Sequence, residues 1–163
     1  MYWNFADADA CRDWGRRLAQ VVDIPAVIYL HGELGAGKTT LAQALLQALG
    51  VTPPIKSPTY TLIERYVTRI GTALHLDLYR LREAEELEFI GIRDHLAEPA
   101  LWLIEWPERG RGFLPPADLS LTLTILPQGD HQVQWRALHA RAERWMERLG
   151  LPAASLAVGD ADG

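Results

Sequence analysis

The chain has 163 residues, 48% of them hydrophobic, and a formal net charge of −5. That size and apolar content fit one ordinary domain with a sizeable core, and the acidic balance argues against broad, non-specific nucleic-acid binding, which works by neutralising phosphates with Lys and Arg. No apolar run approaches the roughly 20 residues of a membrane span, the N-terminus lacks the basic start and apolar block of a secretory signal, and the single cysteine, Cys11, offers no internal disulfide, so a cytoplasmic protein without membrane attachment is expected.

Residues 2–6, "YWNFA", read as a short first strand. Asp7 or Asp9 offers an N-cap, and Cys11, Trp14, Leu18 and Val21 recur at the spacing of one helical face. Pro25 ends that segment. "AVIYLHG" is a continuous apolar run, the pattern of a buried strand in a parallel sheet. A glycine-rich loop follows, and Leu41, Leu45 and Leu49 then mark a helix that stops at Gly50. "VTPPIKSPT" is a proline-rich connection and "YTLIERYV" a strand. Leu74, Leu76 and Leu78 alternate with His75, Asp77 and Tyr79, the period of a half-buried strand. "REAEELEFIGIRDHLAE" reads as an acidic helix interrupted near Gly91, "ALWLIEW" as a second buried strand and "PERGRGFLPPAD" as a loop. "LSLTLTIL" and "HQVQWRAL" form a hairpin through "PQGD". Residues 137–149 place Leu138, Ala142, Trp145 and Leu149 on one helical face, and the small, polar tail from about residue 151 is expected to be disordered. Strands alternating with helices, then an antiparallel hairpin, indicate a single α/β domain over residues 1–150, a sandwich around a mixed, partly antiparallel sheet.

Gly32-Glu33-Leu34-Gly35-Ala36-Gly37-Lys38-Thr39 matches the phosphate-binding loop GxxxxGK[ST], between a buried strand and a helix as that loop requires. Its glycines let successive backbone N–H groups converge on one anion, and the helix N-terminus adds its positive dipole end. Gly32, Leu34, Gly35, Ala36, Gly37, Lys38, Thr39 and Thr40 are therefore the nucleotide-binding candidates. Lys38 would reach the β- and γ-phosphates, the Thr39 hydroxyl would bind Mg²⁺, and Thr40 would touch the α-phosphate. Of the 16 cationic residues only Lys38 and Lys56 are lysines. Keeping lysine at 38 in an arginine-rich chain fits a tight loop that takes a compact ammonium better than a planar fork.

Loops of this kind work with an acid at the end of a neighbouring buried strand. Glu105, closing "LWLIE", is the first candidate, against the alternative of a strand-end carboxylate in solvent; Asp77 is the second, against an exposed strand aspartate. The hydroxyls of "SPTYT" (Ser57, Thr59 and Thr61) could sense a terminal phosphate on a switch-like segment, or simply belong to a proline-ordered connection. His31 and His75 read as structural or solvent-facing, Trp106 as a packing residue, and Arg141, Arg144 and Arg148 as a solvated helix face. The only asparagine, Asn4, precedes the loop, so the NKxD guanine motif of GTPases is missing, and no LSGGQ motif is present. "ERGRG" is the only lid-like segment a small-molecule kinase could use, and it is short.

"GELGAGKTT", "SPTYTLIERY", "HLDLYRL" and "LIEWPERGRGFLP" together resemble the bacterial TsaE (YjeE) P-loop ATPases over about residues 5–150, in the same order and with similar spacing. The resemblance implies a P-loop NTPase-like sandwich and a weak, Mg²⁺-dependent ATPase that supports threonylcarbamoyladenosine formation on tRNAs reading codons that begin with A. It implies action on a TsaB–TsaD complex, with tRNA engaged through those partners. By position, Lys38 and Thr39 would handle phosphates and Mg²⁺, Glu105 would be the Walker-B-like metal acid, and Asp77 would serve hydrolysis or coupling. Trp106 and the Ser57, Thr59 and Thr61 segment would couple to partners. Family members often carry a basic residue in the hairpin on the adenine side, where this chain has "QGDH", so no adenine contact is assigned to Asp130 or His131. A small-molecule kinase and a nucleotide-gated binding module without essential hydrolysis are the alternatives.

Overall fold

The computed structural model describes residues 3–5 and 8–155. Seven strands form one sheet in the order β1-β7-β6-β2-β5-β4-β3. Its centre is parallel: β2 (Ala26–Gly32) lies between β5 (Ala100–Glu105) and β6 (Leu119–Ile125), and β4 (Gly71–Asp77) continues the parallel run beyond β5. Both flanks are antiparallel. β3 (Ile63–Thr68) pairs with β4, and β7 (His131–Ala137) joins β6 to β1 (Trp3–Phe5). The chain thus has the α/β sandwich with a mixed sheet that the alternation of elements predicts.

Strand alternation divides the core in two. Ile28, Leu30, Leu101 and Leu103 share one face with Leu121 and Leu123, covered by α1 (Ala8–Ala19), α2 (Lys38–Ala48) and α5 (Ala140–Arg148). Val27, Leu74, Leu76, Trp102 and Ile104 point the other way, under α3 (Glu86–Phe89), α4 (Ile92–Leu96) and the segment that holds Phe113 and Leu114. Each fully buried Leu or Ile contributes about 1.5–3 kcal/mol, so the two-sided cover makes the central strands the stable floor of the molecule. α1 sits close on α2: a Cβ at Gly15 would stand 2.7 Å from the Leu41 carbonyl oxygen, so only glycine permits that approach. Trp14 of α1 meets Trp135 of β7 at 5.6 Å between ring centroids.

Several elements differ from their sequence patterns. β4 is buried on both faces from Ala73 to Asp77, not half-buried, because α2 roofs the side that carries His75 and Asp77. Tyr60 and Thr61 lie in a turn rather than a strand: Leu62 N–H returns to the Pro58 carbonyl at 2.9 Å and Leu62 takes a φ of 66°. The acidic segment yields two short helices split at Gly91, whose φ of 76° no helix continues through. Leu138 precedes α5 and is exposed, while Ala142 and Trp145 are buried as their spacing implies. Arg141 leaves the solvated face, pairing with Asp23 at 3.3 Å and donating to the Pro25 carbonyl. Residues 152–155, read as part of the tail, line β7: Ser155 N–H donates to the Trp135 carbonyl at 2.9 Å and Trp135 Nε1 to the Pro152 carbonyl at 3.0 Å. Residues 156–163 of the expected tail, and Asp7 with its N-cap reading, lie outside the described residues.

Candidate nucleotide site

Three neighbouring parallel strands end together. β2 runs out at Gly32 into the glycine loop, β5 ends at Glu105 and β4 at Asp77. Leu30 pairs with Glu105, and Glu105 with Asp77, so both carboxylates lie in one row across the sheet, on the face beneath α2. Ligands of open α/β sheets bind outside such carboxyl ends. A cleft of about 340 Å³ occupies this place, lined by Leu34, Gly35, Gly37, Lys38, Thr39, Thr40, Thr59, Asp77, Tyr79, Arg80, Glu105 and Trp106.

The loop is shaped by backbone that other residues resist. Gly37 takes φ 107° and ψ 9° as the N-cap of α2, and a Cβ there would stand 3.0 Å from Cys11 Sγ. Cys11 donates its thiol to the Gly37 carbonyl at 3.3 Å, and His131 Nδ1 lies 3.0 Å from the Ala36 carbonyl, so α1 and β7 both pin the loop. No side chain caps α2 and no acid stands in its first turn. Its N–H groups and positive dipole end are thus left for an anion.

Lys38 is only 4% exposed. Its ammonium donates to the Gly32 and Glu33 carbonyls at 2.5 and 2.7 Å and lies 4.6 Å from the Trp106 ring centroid. Burial lowers its pKa, and Glu105, Asp77, Glu108 and Glu33 oppose that shift. Thr39 Oγ1 donates to Glu105 Oε1 at 2.7 Å, which ties the start of α2 to the end of β5. Glu105 is 2% exposed, so it is not a strand-end carboxylate in solvent, and Asp77, at 8%, is not an exposed strand aspartate. Burial raises the Asp77 carboxyl; the Tyr79 N–H bonded to its Oδ1 at 3.1 Å lowers it, Glu105 raises it, and His75 and Lys38 lower it.

Other candidates divide. Thr40 lines the cleft, as does Leu34, whose side chain is largely exposed. Ala36 is wholly buried, and Gly32 contributes its carbonyl to Lys38. Of the switch-like hydroxyls Thr59 lines the cleft; Ser57 bonds to Thr59 at 2.7 Å, and Thr61 donates to Glu64 at 3.0 Å, outside it. Trp106 has a φ of 57°; it packs against the second core, as its packing reading implies, and also borders the cleft, its ring meeting Tyr79 at 5.0 Å and the Arg109 guanidinium at 5.6 Å. His31 stands apart, 3.4 Å from Glu108.

Three participants escape the sequence reading. Arg80 brings a second cation to the cleft, stacked at 4.5 Å on Tyr60, and Tyr79 lines its wall. His75, read as structural or solvent-facing, is fully buried with Nε2 2.7 Å from Glu105 Oε2. Strand alternation was the available signal: His75 stands two residues before Asp77 and therefore shares its face.

Chemically, the cleft gathers a buried ammonium, an uncapped helix start, the hydroxyls of Thr39, Thr40 and Thr59 and two carboxylates, groups that suit an anion together with a hard cation. Among the described residues no group of three or more His, Cys, Asp or Glu could hold a metal alone. No helix among them is long and apolar enough to cross a membrane.

Comparison with known proteins identifies the family. Residues 5–133 match the family model for "Threonylcarbamoyl adenosine biosynthesis protein TsaE". The chain is 44% identical over 115 residues to the tRNA threonylcarbamoyladenosine biosynthesis protein TsaE of Haemophilus influenzae, covering 68% of this chain and 73% of that one. It is 39% identical over 119 residues to the protein of the same name from Aquifex aeolicus, covering 72% and 81%. The crystal structure of Bacillus subtilis YdiB shares the fold, with a TM-score of 0.76 over 92% of this chain and 93% of that one at 23% identity. With a family-model match over residues 5–133 and relatives 39–44% identical over about 70% of its length, the chain belongs to the TsaE family of threonylcarbamoyl adenosine biosynthesis proteins.

Proposed function

We propose that the protein is a Mg²⁺-dependent ATPase that serves tRNA threonylcarbamoyladenosine formation by acting on a TsaB–TsaD-type complex. The observation that carries the nucleotide reading is the Thr39–Glu105 hydrogen bond at the uncapped start of α2, beside the buried Lys38 ammonium. The donor set fits Mg²⁺, a hard cation that takes one or two protein oxygens and completes its shell with phosphates and waters; a site with three or more protein ligands would not be needed. Thr39 and Glu105 are the residues that would hold it, and when bound it would neutralise charge developing on the phosphates.

The chain's own groups divide the work. The N–H groups of the loop and of the first turn of α2, near Gly35, Gly37, Thr39 and Thr40, bind phosphate oxygens. Lys38 exchanges its two loop carbonyls for the β- and γ-phosphates, a change from neutral to charged acceptors. Asp77, buried beside Glu105, accepts a hydrogen bond from the attacking water and orients it toward the terminal phosphorus. The water oxygen bonds to that phosphorus as its bond to the bridging oxygen breaks, the water's proton ends on the released phosphate or in solvent, and ADP and phosphate leave. Arg80 supplies a further positive charge from the cleft wall. The acidic net charge agrees with tRNA being reached through partners.

The test is ATP turnover and Mg²⁺-dependent ATP binding, with and without a TsaB–TsaD pair and tRNA. Slow turnover alone and faster turnover with the pair are expected. Phosphate transfer to a metabolite in place of release to water would mark a kinase instead. Full support of the modification by Asp77→Ala and Glu105→Ala variants that bind but do not turn over ATP would mark a nucleotide-gated module.

A further inference from the structure

We propose that His75 is the positioning residue of Glu105: its Nε2–H holds one carboxylate oxygen so that the other lone pairs stay aimed into the cleft. The inference rests on the reading of Glu105 as the cation-side acid. Glu105 is gripped from two sides, by Thr39 at Oε1 and by His75 at Oε2, both at 2.7 Å. An ionised carboxylate has about four lone-pair positions, so two remain for the cleft. The hydroxyl comes from α2 and the imidazole from β4, so the two contacts fix the carboxylate against both layers.

Packing does not explain the imidazole. His75 is wholly buried and pairs with Leu103 in the row beneath Glu105, among Ala73, Leu101 and Leu103. A leucine would suit that environment. Moreover His75 Nδ1 is buried and has no hydrogen-bond partner. Buried polar atoms are nearly always paired, and an unpaired one is destabilising. The fold tolerates that cost for a ring whose single hydrogen bond goes to Glu105. A carboxylate accepts, so Nε2 carries a proton and donates it to Oε2.

Three measurements test this on the full chain. First, His75→Leu and His75→Gln are compared with Glu105→Gln for the Mg²⁺ concentration that half-saturates ATP binding, and for ATP affinity in excess EDTA. Outer-shell partners of metal ligands typically contribute about 10–100-fold. His75→Leu should raise the Mg²⁺ requirement by that factor with EDTA affinity little changed, and His75→Gln, which restores an Nε2 donor, should recover most of the loss. Second, ATP turnover should fall in kcat more than KM rises. Third, nitrogen NMR of histidine-labelled wild type, with the His75→Gln spectrum as assignment, should show a protonated Nε2 at His75. An Nε2 that carries no proton overturns the proposal even if His75→Leu does not fold. So does an unchanged Mg²⁺ requirement in a folded His75→Leu, or a His75→Gln as impaired as His75→Leu. If Glu105→Gln weakens Mg²⁺ dependence and His75→Leu does not, positioning alone fails. If wild-type binding ignores Mg²⁺, the reading of Glu105 fails and the proposal falls with it.

Discussion

Replacing Lys38 with alanine asks most directly what the glycine loop holds. In the structure the ammonium is parked on the Gly32 and Glu33 carbonyls at 2.5 and 2.7 Å. Gly32 is half-buried and Glu33 exposed, so water can replace the lost donor, and the fold should lose only about 1 kcal/mol. Binding should lose far more. A hydrogen bond to a charged group contributes about 1.5–3 kcal/mol, so an ammonium shared by two phosphates contributes about 3–6 kcal/mol. At 1.4 kcal/mol per decade this is roughly a 10²- to 10⁴-fold rise in Kd. Lys38→Arg keeps the charge but must fit a broad fork between the loop carbonyls and the Trp106 ring, 4.6 Å from the present Nζ; it should bind at least about tenfold more weakly than wild type. Calorimetry with ATP and Mg²⁺ measures both, with thermal melting as the control for folding. A folded Lys38→Ala protein with a Kd within about threefold of wild type would refute the assignment of the loop.

Asp77→Asn should trade activity for stability. Burial raises the Asp77 carboxyl, so the folded state holds that proton more tightly than the unfolded chain does. Ionised Asp77 therefore subtracts stability above its folded pKa, and the penalty fades as pH falls through it. In EDTA at pH 7.5 the variant should melt about 2–4 °C higher for each kcal/mol relieved, the gain should shrink toward pH 4, and ATP turnover should drop by about 10²-fold or more; a lower melting temperature than wild type at pH 7.5 would contradict this. Gly37→Ala should cost about 1–3 kcal/mol from its left-handed φ. A double variant with Cys11→Ala should recover only the share due to the 3.0 Å contact with Sγ, and a Gly37→Ala protein melting with wild type would show that the loop re-forms. Cys11 is buried and its thiol is pushed up to about 11 by that burial, against a lowering by Arg12. At pH 8 the thiolate is on the order of one part in a thousand, so a disulfide reagent should label Cys11 slowly in the native protein and promptly in denaturant. Fast native labelling would mean that α1 opens away from the loop.

The elements legible in the sequence are those whose pattern and environment agree. "AVIYLHG" is β2 from end to end, since a parallel strand buried on both faces has no alternation to misread. The loop and α2 were legible because the motif specifies its own flanks. β4 was the informative failure. Leu74, Leu76 and Leu78 alternate with polar residues, and period-two alternation ordinarily means one wet face. Here His75 and Asp77 face the core beneath α2, and what permits it is pairing: His75 on Glu105, and Asp77 on the Tyr79 N–H. Tyr60 and Thr61 fail for a local reason, the left-handed Leu62, which β-propensity cannot anticipate in a leucine.

The same contrast shows why the loop motif alone cannot make this site. The motif places Lys38 and Thr39, but the acids arrive through strand register. Leu30, Glu105 and Asp77 form one row across β2, β5 and β4, and Ile28, Leu103 and His75 form the row two residues back on the same face. Adjacent strands lie about 4.8 Å apart, close enough for both carboxylates and the imidazole to meet beneath the start of α2. A slip of one residue between β4 and β5 would turn Asp77 or Glu105 to the opposite face, into the leucine core, where an ionised carboxylate has no partner. Register is therefore held by the apolar residues between the acids: Leu74 and Leu76 in β4, Trp102 and Ile104 in β5, all buried in the second core. The residues that carry no chemistry thus decide which face the chemistry is on, and they do so from the side of the sheet opposite α2.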